Sequence, residues 1–294
     1  MRSTEMSRKF KSLIALVCAF ILIFSLCINS SAIFIGGYKV PVLLSERCAS
    51  VSVLWNGDYL CDGYERLGTT YVPAVEFLEL LLGSPCVLKY KQPYSVINLK
   101  GEGFELCCYV DPGYITVNGR CVPLDGSPIK IDGLVCFPIT SLTKVIGAEL
   151  ITGINGKYCN IKYTSGTPIP SANDVYNQND LYWLSRVIFA ESGTQPLEGM
   201  IGVGNVVLNR VESIRFPNSV YDVIFQKNQF SVVDCGMIYR EPDERSIIAA
   251  KLCLEGADSV GESLYFINPA LCNGSWFRNN LTFTHRIGEH DFFV

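Results

Sequence analysis

The apolar positions of this chain follow three patterns. Leu13 to Ile28 form one block without a charge, behind Arg2, Arg8, Lys9 and Lys11. Residues 33–164 carry short alternating runs broken by Asn-Gly, Asp-Gly and Pro, which predicts strands and tight turns. From Asn179 onward apolar residues recur at three and four positions, the spacing of amphipathic helices.

The first block ends at Asn29-Ser-Ser-Ala32, with Ser at −3 and Ala at −1 of a cleavage after Ala32. A basic start, an apolar middle and a small-residue exit predict a secretory signal over 1–32. The block is shorter than the ~20 residues of a membrane span. An uncleaved N-terminal anchor is the competing reading. In both cases the rest of the chain is exported, and cleavage would leave no membrane contact.

The second pattern repeats. Leu67-Gly-Thr-Thr-Tyr-Val-Pro73 leads into Ala74–Leu82 and Gly83, and Ile131-Asp-Gly-Leu-Val-Cys-Phe-Pro138 leads into Ile139–Ile146 and Gly147. Val51-Ser-Val-Leu-Trp-Asn-Gly57 and Ile115-Thr-Val-Asn-Gly119 each read as a strand entering an Asn-Gly turn. Each unit is expected to run strand, turn, strand, Pro, short helix, Gly, strand. Residues 165–179, rich in Pro, Ser, Thr and Gly at their start, are expected to be a linker.

In the third pattern Asp180 is expected to cap a helix whose apolar stripe is Leu184, Val187 and Ile188. Glu191 lies three, four and seven residues beyond these, so it falls on the apolar face in the last turn, before Gly193 as the expected C′ residue. A core-facing carboxylate at the negative end of a helix is held toward its protonated form. Such a group suits general-acid cleavage of a glycosidic bond. Pairing with Arg186 is the equally weighted bland reading. A second helix opens near Pro196, and its Gly202 and Gly204 point to close contact with a neighbouring helix.

Composition adjusts this picture in three ways. The 49% hydrophobic content and mean hydropathy of +0.25 owe much to the N-terminal block. The net charge of −4 becomes −7 once the four cations and one acid of residues 1–32 are removed. That disfavours electrostatic binding of nucleic acid. Of the 13 cysteines eleven lie beyond the signal, with no Cys-x-x-Cys pair, and the only histidines are His285 and His290. No metal and no cofactor are therefore expected, and buried thiols are favoured over a disulfide framework.

Two resemblances emerge. The repeated Asn-Gly and Val-Pro units over 33–164 resemble the copper amine oxidase N-terminal-like domain, which implies contact with wall or coat proteins; a structural spacer is the bland reading. Residues 180–294 resemble the spore-cortex-lytic (SleB/CwlJ-type) cell wall hydrolase family. The matching runs include Leu184-Ser-Arg-Val-Ile-Phe-Ala-Glu191, Gly202-Val-Gly-Asn-Val-Val-Leu-Asn-Arg-Val211, Asn228-Gln-Phe-Ser231, Leu264-Tyr-Phe-Ile-Asn-Pro269 and Arg286-Ile-Gly-Glu-His290.

This resemblance implies an α+β chain, a β-rich repeat domain followed by a mainly helical, lysozyme-like catalytic domain. It implies cleavage of peptidoglycan glycan strands in the cell wall or spore cortex of a Gram-positive-type bacterium, with Glu191 as acid/base and lytic transglycosylation as the expected outcome. Gln229 and Ser231 are candidates for sugar hydrogen bonds, and Phe230 or Trp276 for a sugar platform, although core packing is favoured for both aromatics. Asn268 could contact substrate or form a turn. His290 could line the cleft or close the fold, the second being favoured.

Asp234 remains a candidate second carboxylate, which leaves hydrolysis open. The family commonly reads Glu-Ala-Arg-Gly-Glu-Pro where this chain has Glu191-Ser-Gly-Thr-Gln-Pro196. A catalytically silent wall-binding protein is the alternative. A peptidase using Cys235 or Cys272 with His290 ranks below both.

Overall fold

The computed structural model describes the backbone of residues 32–35 and 38–43, and residues 48–294 apart from 84, 92–95, 102–103, 111–112, 154–155, 164–168 and 273. The expected signal, with Cys18 and Cys27, lies outside the described residues except for Ala32, which opens a strand. Among the described residues no helix is long and apolar enough to cross a membrane.

The chain is mixed α/β. Its N-terminal region holds two sheets. One has the spatial order Ala32–Ile35, Tyr38–Leu43, Ile129–Ile131, Leu134–Pro138, Thr69–Pro73, Asp58–Arg66, Ala49–Trp55, Tyr158–Lys162, Glu149–Thr152. The other is antiparallel, in the order Arg120–Pro123, Tyr114–Val117, Phe104–Tyr109, Val96–Gly101, Val87–Lys91. Helices Ala74–Leu82 and Ile139–Ile146 each follow a proline and end on a left-handed glycine, Gly83 at φ 63° and Gly147 at φ 69°. Phe77, Leu78, Leu99, Ile115, Phe137 and Leu142 belong to one buried core.

The two sequence units do not take equivalent places. Both Asn-Gly turns have positive φ at both residues, as a type I′ hairpin requires. Yet the hairpin at Asn56-Gly57 lies in the first sheet and the one at Asn118-Gly119 in the second. The first unit continues straight into a second hairpin through Leu67-Gly68, whereas the other crosses between sheets through residues 124–128 before Ile129–Ile131.

The C-terminal region packs helices Gln178–Ser192, Leu197–Glu212 and Glu244–Leu254 against one another. A three-stranded antiparallel sheet completes it, with His290–Phe293 between Tyr265–Ile267 and Phe283–Ile287. Two end-of-helix expectations are corrected. The N-cap is Asn177 rather than Asp180, because its Oδ1 accepts from the N–H groups of Asn179 and Asp180 at 2.9 and 3.3 Å. Gly193 is right-handed, φ −57°, so its role is spatial: a Cβ there would stand 2.7 Å from the Phe189 carbonyl oxygen.

The expected linker contains regular structure among its described residues. Residues 172–175 form a short helix begun by a Ser171/Asp174 capping box. Beyond it the two regions meet. Tyr114 and Cys121 pack on Leu252, with Leu197, Ile201 and Ile248 at the margin. Within this contact Arg120, 4% exposed, pairs with Glu255, the C-cap of the helix Glu244–Leu254.

Candidate active site

Glu191 is the penultimate residue of the helix Gln178–Ser192, whose Leu184, Val187 and Ile188 are buried in the C-terminal core. The stripe turns its carboxyl inward at the floor of a cleft of about 840 Å³. Burial pushes its pKa from 4.5 up to about 7, since a desolvated carboxylate is disfavoured against the neutral acid. The bland pairing does not form. Arg186 instead donates from Nη2 to Glu241 Oε1 at 2.6 Å, with its guanidinium 3.6 Å above the Tyr182 ring.

Space for this helix comes from its neighbour. A Cβ on Gly204 would lie 2.6 Å from Cys253 Sγ and 3.0 Å from Ile188 Cδ1, so the helices Gln178–Ser192, Leu197–Glu212 and Glu244–Leu254 touch at that glycine.

All the sequence candidates line this one cleft: Glu191, Gln229, Phe230, Ser231, Asn268, Trp276 and His290, with Asp234 beside them. The surroundings of one of them, Trp276, differ from expectation. Trp276 is 57% exposed on the helix Ser275–Asn280, so it is a rim residue rather than a core one. That helix has no buried residue, leaving the indole no interior to enter. The Asn268 side chain bonds within the chain: Oδ1 accepts from Ala270 N at 3.0 Å and Nδ2 donates to Glu289 Oε2 at 3.2 Å. These bonds are those of the turn-forming reading.

Phe230 is 3% exposed and sits 5.2 Å from the Arg210 guanidinium, which favours packing over a platform. Gln229 is exposed, next to Asn228 in the left-handed region at φ 65°. Ser231 opens the short helix Ser231–Asp234 and is exposed too. His290 is buried in the central strand, its ring edge-on to Phe266 at 5.3 Å. Burial lowers its pKa, so the imidazole is neutral at pH 7, and its Nδ1 has no hydrogen-bond partner among the described residues.

Among the cleft residues that sequence reasoning misses are Gln195, Arg210 and Glu289. Arg210 donates from Nε to the Leu264 carbonyl at 2.8 Å, and burial lowers its pKa to about 10. Its place in the last turn of the helix Leu197–Glu212 gives no sign of a cleft wall. Glu289 is 98 residues from Glu191 in sequence, and only the fold brings them to one cavity.

Among the described residues neither Cys235 nor Cys272 is hydrogen-bonded to His290; the Cys235 Sγ donates to the Val232 carbonyl at 3.7 Å. Cys272 also lines the cleft, but its Sγ donates to the Asn268 carbonyl at 3.4 Å rather than to His290. Cys61, Cys136 and Cys253 are buried, and burial raises their pKa, to about 11 and 12 for the first two. Among the described residues no group of three or more His, Cys, Asp or Glu is placed to hold a metal ion.

Residues 194–293 match the family described as Cell Wall Hydrolase. A spore cortex-lytic enzyme of Oceanobacillus iheyensis is 33% identical over 129 residues, 44% of this chain and 46% of that protein. One from Bacillus cereus is 35% identical over 127 residues, 43% of this chain and 48% of that protein. The chain thus spans about half the length of these curated relatives. Among solved structures, the catalytic domain of the germination-specific lytic transglycosylase SleB from Bacillus anthracis is 34% identical; the match covers 43% of this chain and 100% of that one, with a TM-score of 0.39. By sequence, the C-terminal region of this chain matches the Cell Wall Hydrolase family over residues 194–293 and is similar to the spore cortex-lytic enzymes.

Proposed function

We propose that this protein is an exported peptidoglycan glycosidase acting on the glycan strand through Glu191, as a lytic transglycosylase. The observation that carries the reading is the half-buried Glu191 lining the cleft, with its pKa near 7. At neutral pH a large share of that carboxyl holds its proton, as general-acid catalysis requires.

Protonated Glu191 gives its proton to the bridging oxygen as the C1–O bond of the muramoyl residue breaks. The resulting carboxylate lies beside a C1 centre that has gained positive character, and stabilises it through a poorly screened field. It then takes the proton of the muramoyl 6-hydroxyl as that oxygen bonds to C1, which closes a 1,6-anhydro ring and restores the acid. One carboxyl group serves both steps. If a water attacked instead, Asp234 could serve as its base and the product would carry a reducing end.

Trp276 offers an exposed apolar face for a sugar ring, and Gln229 and Ser231 offer exposed polar groups to hydroxyl and acetamido substituents. The neutral His290 edge can donate or accept one hydrogen bond within the cleft. The β-rich region, read as a copper amine oxidase N-terminal-like domain, would contact wall or coat proteins. The site of action would be the cell wall or spore cortex.

Mass spectrometry of the products from purified peptidoglycan tests the reading. Anhydro-muramoyl ends are expected from the unaltered protein and none from Glu191→Gln. Full activity of Glu191→Gln would overturn it, and attachment to sacculi without soluble products would leave a binding protein instead.

A further inference from the structure

Glu289 occupies the turn between the strands Phe283–Ile287 and His290–Phe293, just after Gly288 at φ 57°. Its Oε2 accepts from two side-chain amides, Gln195 Nε2 and Asn268 Nδ2, both at 3.2 Å. Gln195 is buried and grips the same turn a second time: its Oε1 accepts from the Glu289 backbone N–H at 2.9 Å. The Gln195 carbonyl is in turn held by Arg245 Nη2 at 2.9 Å. A Cβ on Gly288 would run into Gln195 Oε1, so the turn is fitted to that amide.

Three segments therefore converge on one carboxylate: the loop after the Glu191 helix, the residue after the strand Tyr265–Ile267, and the last hairpin. Both side-chain donors are neutral amides. They orient the group without neutralising it, unlike an ion pair. Both bonds fall on Oε2. The residue is exposed and lines the cleft that holds Glu191 and Trp276. A carboxylate fixed through one oxygen presents the other as an acceptor for hydroxyl or acetamido N–H donors, and charge-assisted bonds of this kind are the strong ones. A surface glutamate whose role was solubility would need no such ring of contacts.

We propose that Glu289 is a sugar-binding carboxylate of the cleft, accepting hydrogen bonds from hydroxyl or acetamido N–H groups of the glycan, with Gln195 and Asn268 as its positioning residues. This rests on the reading of the cleft as a peptidoglycan-cleaving site. It also gives the amide at position 195 a purpose: a carboxylate there would face Glu289 with like charge and could not donate to it.

The test uses the full chain carrying Glu191→Gln, so that binding is read without turnover. Its affinity for a soluble tetrasaccharide of alternating N-acetylglucosamine and N-acetylmuramic acid is measured by calorimetry, alone and combined with Glu289→Gln, Glu289→Asp or Asn268→Ala. Glu289→Gln is expected to weaken binding about tenfold, the loss of one charge-assisted bond. Glu289→Asp, which keeps the charge but shortens the reach, should fall between. Asn268→Ala should weaken binding by itself yet add little on top of Glu289→Gln, a non-additivity that a merely structural turn would not produce. Equal affinity with and without Glu289→Gln, at unchanged melting temperature, overturns the proposal, as does failure of the Glu191→Gln chain to bind the tetrasaccharide. Product analysis of Glu191→Gln reports separately on the underlying reading.

Discussion

The guanidinium of Arg120 meets the carboxylate of Glu255 through two parallel hydrogen bonds, Nε to Oε1 at 2.7 Å and Nη2 to Oε2 at 2.8 Å. The same guanidinium donates to the Val145 and Lys144 carbonyls at 3.1 and 3.2 Å, covering the end of the helix Ile139–Ile146. Tyr176 donates its hydroxyl proton to Glu255 Oε1 at 2.9 Å and accepts from the Cys121 N–H at 3.0 Å. A glutamate at a helix C-terminus is unfavourable against the dipole, and here a cation from the other region offsets it.

Glu255→Ala would leave Arg120 buried without its counter-charge. Removing one partner of a buried pair costs about 3–5 kcal/mol, so this variant should unfold at markedly lower denaturant. Replacing both residues together by apolar ones of similar volume should cost far less. Urea titrations of the single and double variants check the contrast.

The raised pKa of Glu191 has a stability consequence with a definite sign. The folded state holds the proton up to about 7 and the unfolded chain only to about 4.5. The native state therefore binds more protons between those values, and stability present below pH 4.5 is lost as pH rises through 7. The full difference is roughly 3 kcal/mol. Glu191→Gln, which cannot ionise, should melt higher than the unaltered protein at pH 8 and show no such difference at pH 4. Activity that needs the protonated acid should fall along the same limb above pH 7.

Trp276→Ala should leave stability within about 0.5 kcal/mol, as exposed substitutions usually do. If the indole carries a sugar ring, KM on soluble glycan should rise several-fold at little change in kcat. An unchanged KM would remove it from the binding surface.

Gly204→Ala sets two effects against each other. Helix propensity favours alanine by about 1 kcal/mol. Overpacking against Cys253 and Ile188 costs about 1–3 kcal/mol, and at 2.6 Å the contact is tight enough for packing to win. A net loss in melting temperature is expected.

What the sequence made legible was local. Glu191 on an apolar stripe, the Asn-Gly hairpins and the helix-ending glycines at 83 and 147 all follow from spacing and backbone sterics within a few residues. The N-cap was misplaced by three positions because Asn177 and Asp180 are both good caps, and only geometry shows whose oxygen reaches two amides. Trp276 was misjudged because apolarity predicts burial on average, not for a one-and-a-half-turn helix on a cleft rim. Arg120 and Glu255 are 135 residues apart, and Gln195 and Glu289 are 94 apart. Neither pair leaves a periodic trace, because the contacts belong to the fold rather than to either segment.

Cys272 has one more implication. Its thiol is exposed on the cleft wall while Cys235, also exposed, does not line the cleft. Loss of activity on alkylation would thus report crowding of the substrate path, not the presence of a nucleophile. With Cys235 replaced, a series of thiol adducts of increasing size at Cys272 becomes a molecular feeler gauge: the smallest adduct that stops turnover measures the clearance a glycan strand needs beside that wall.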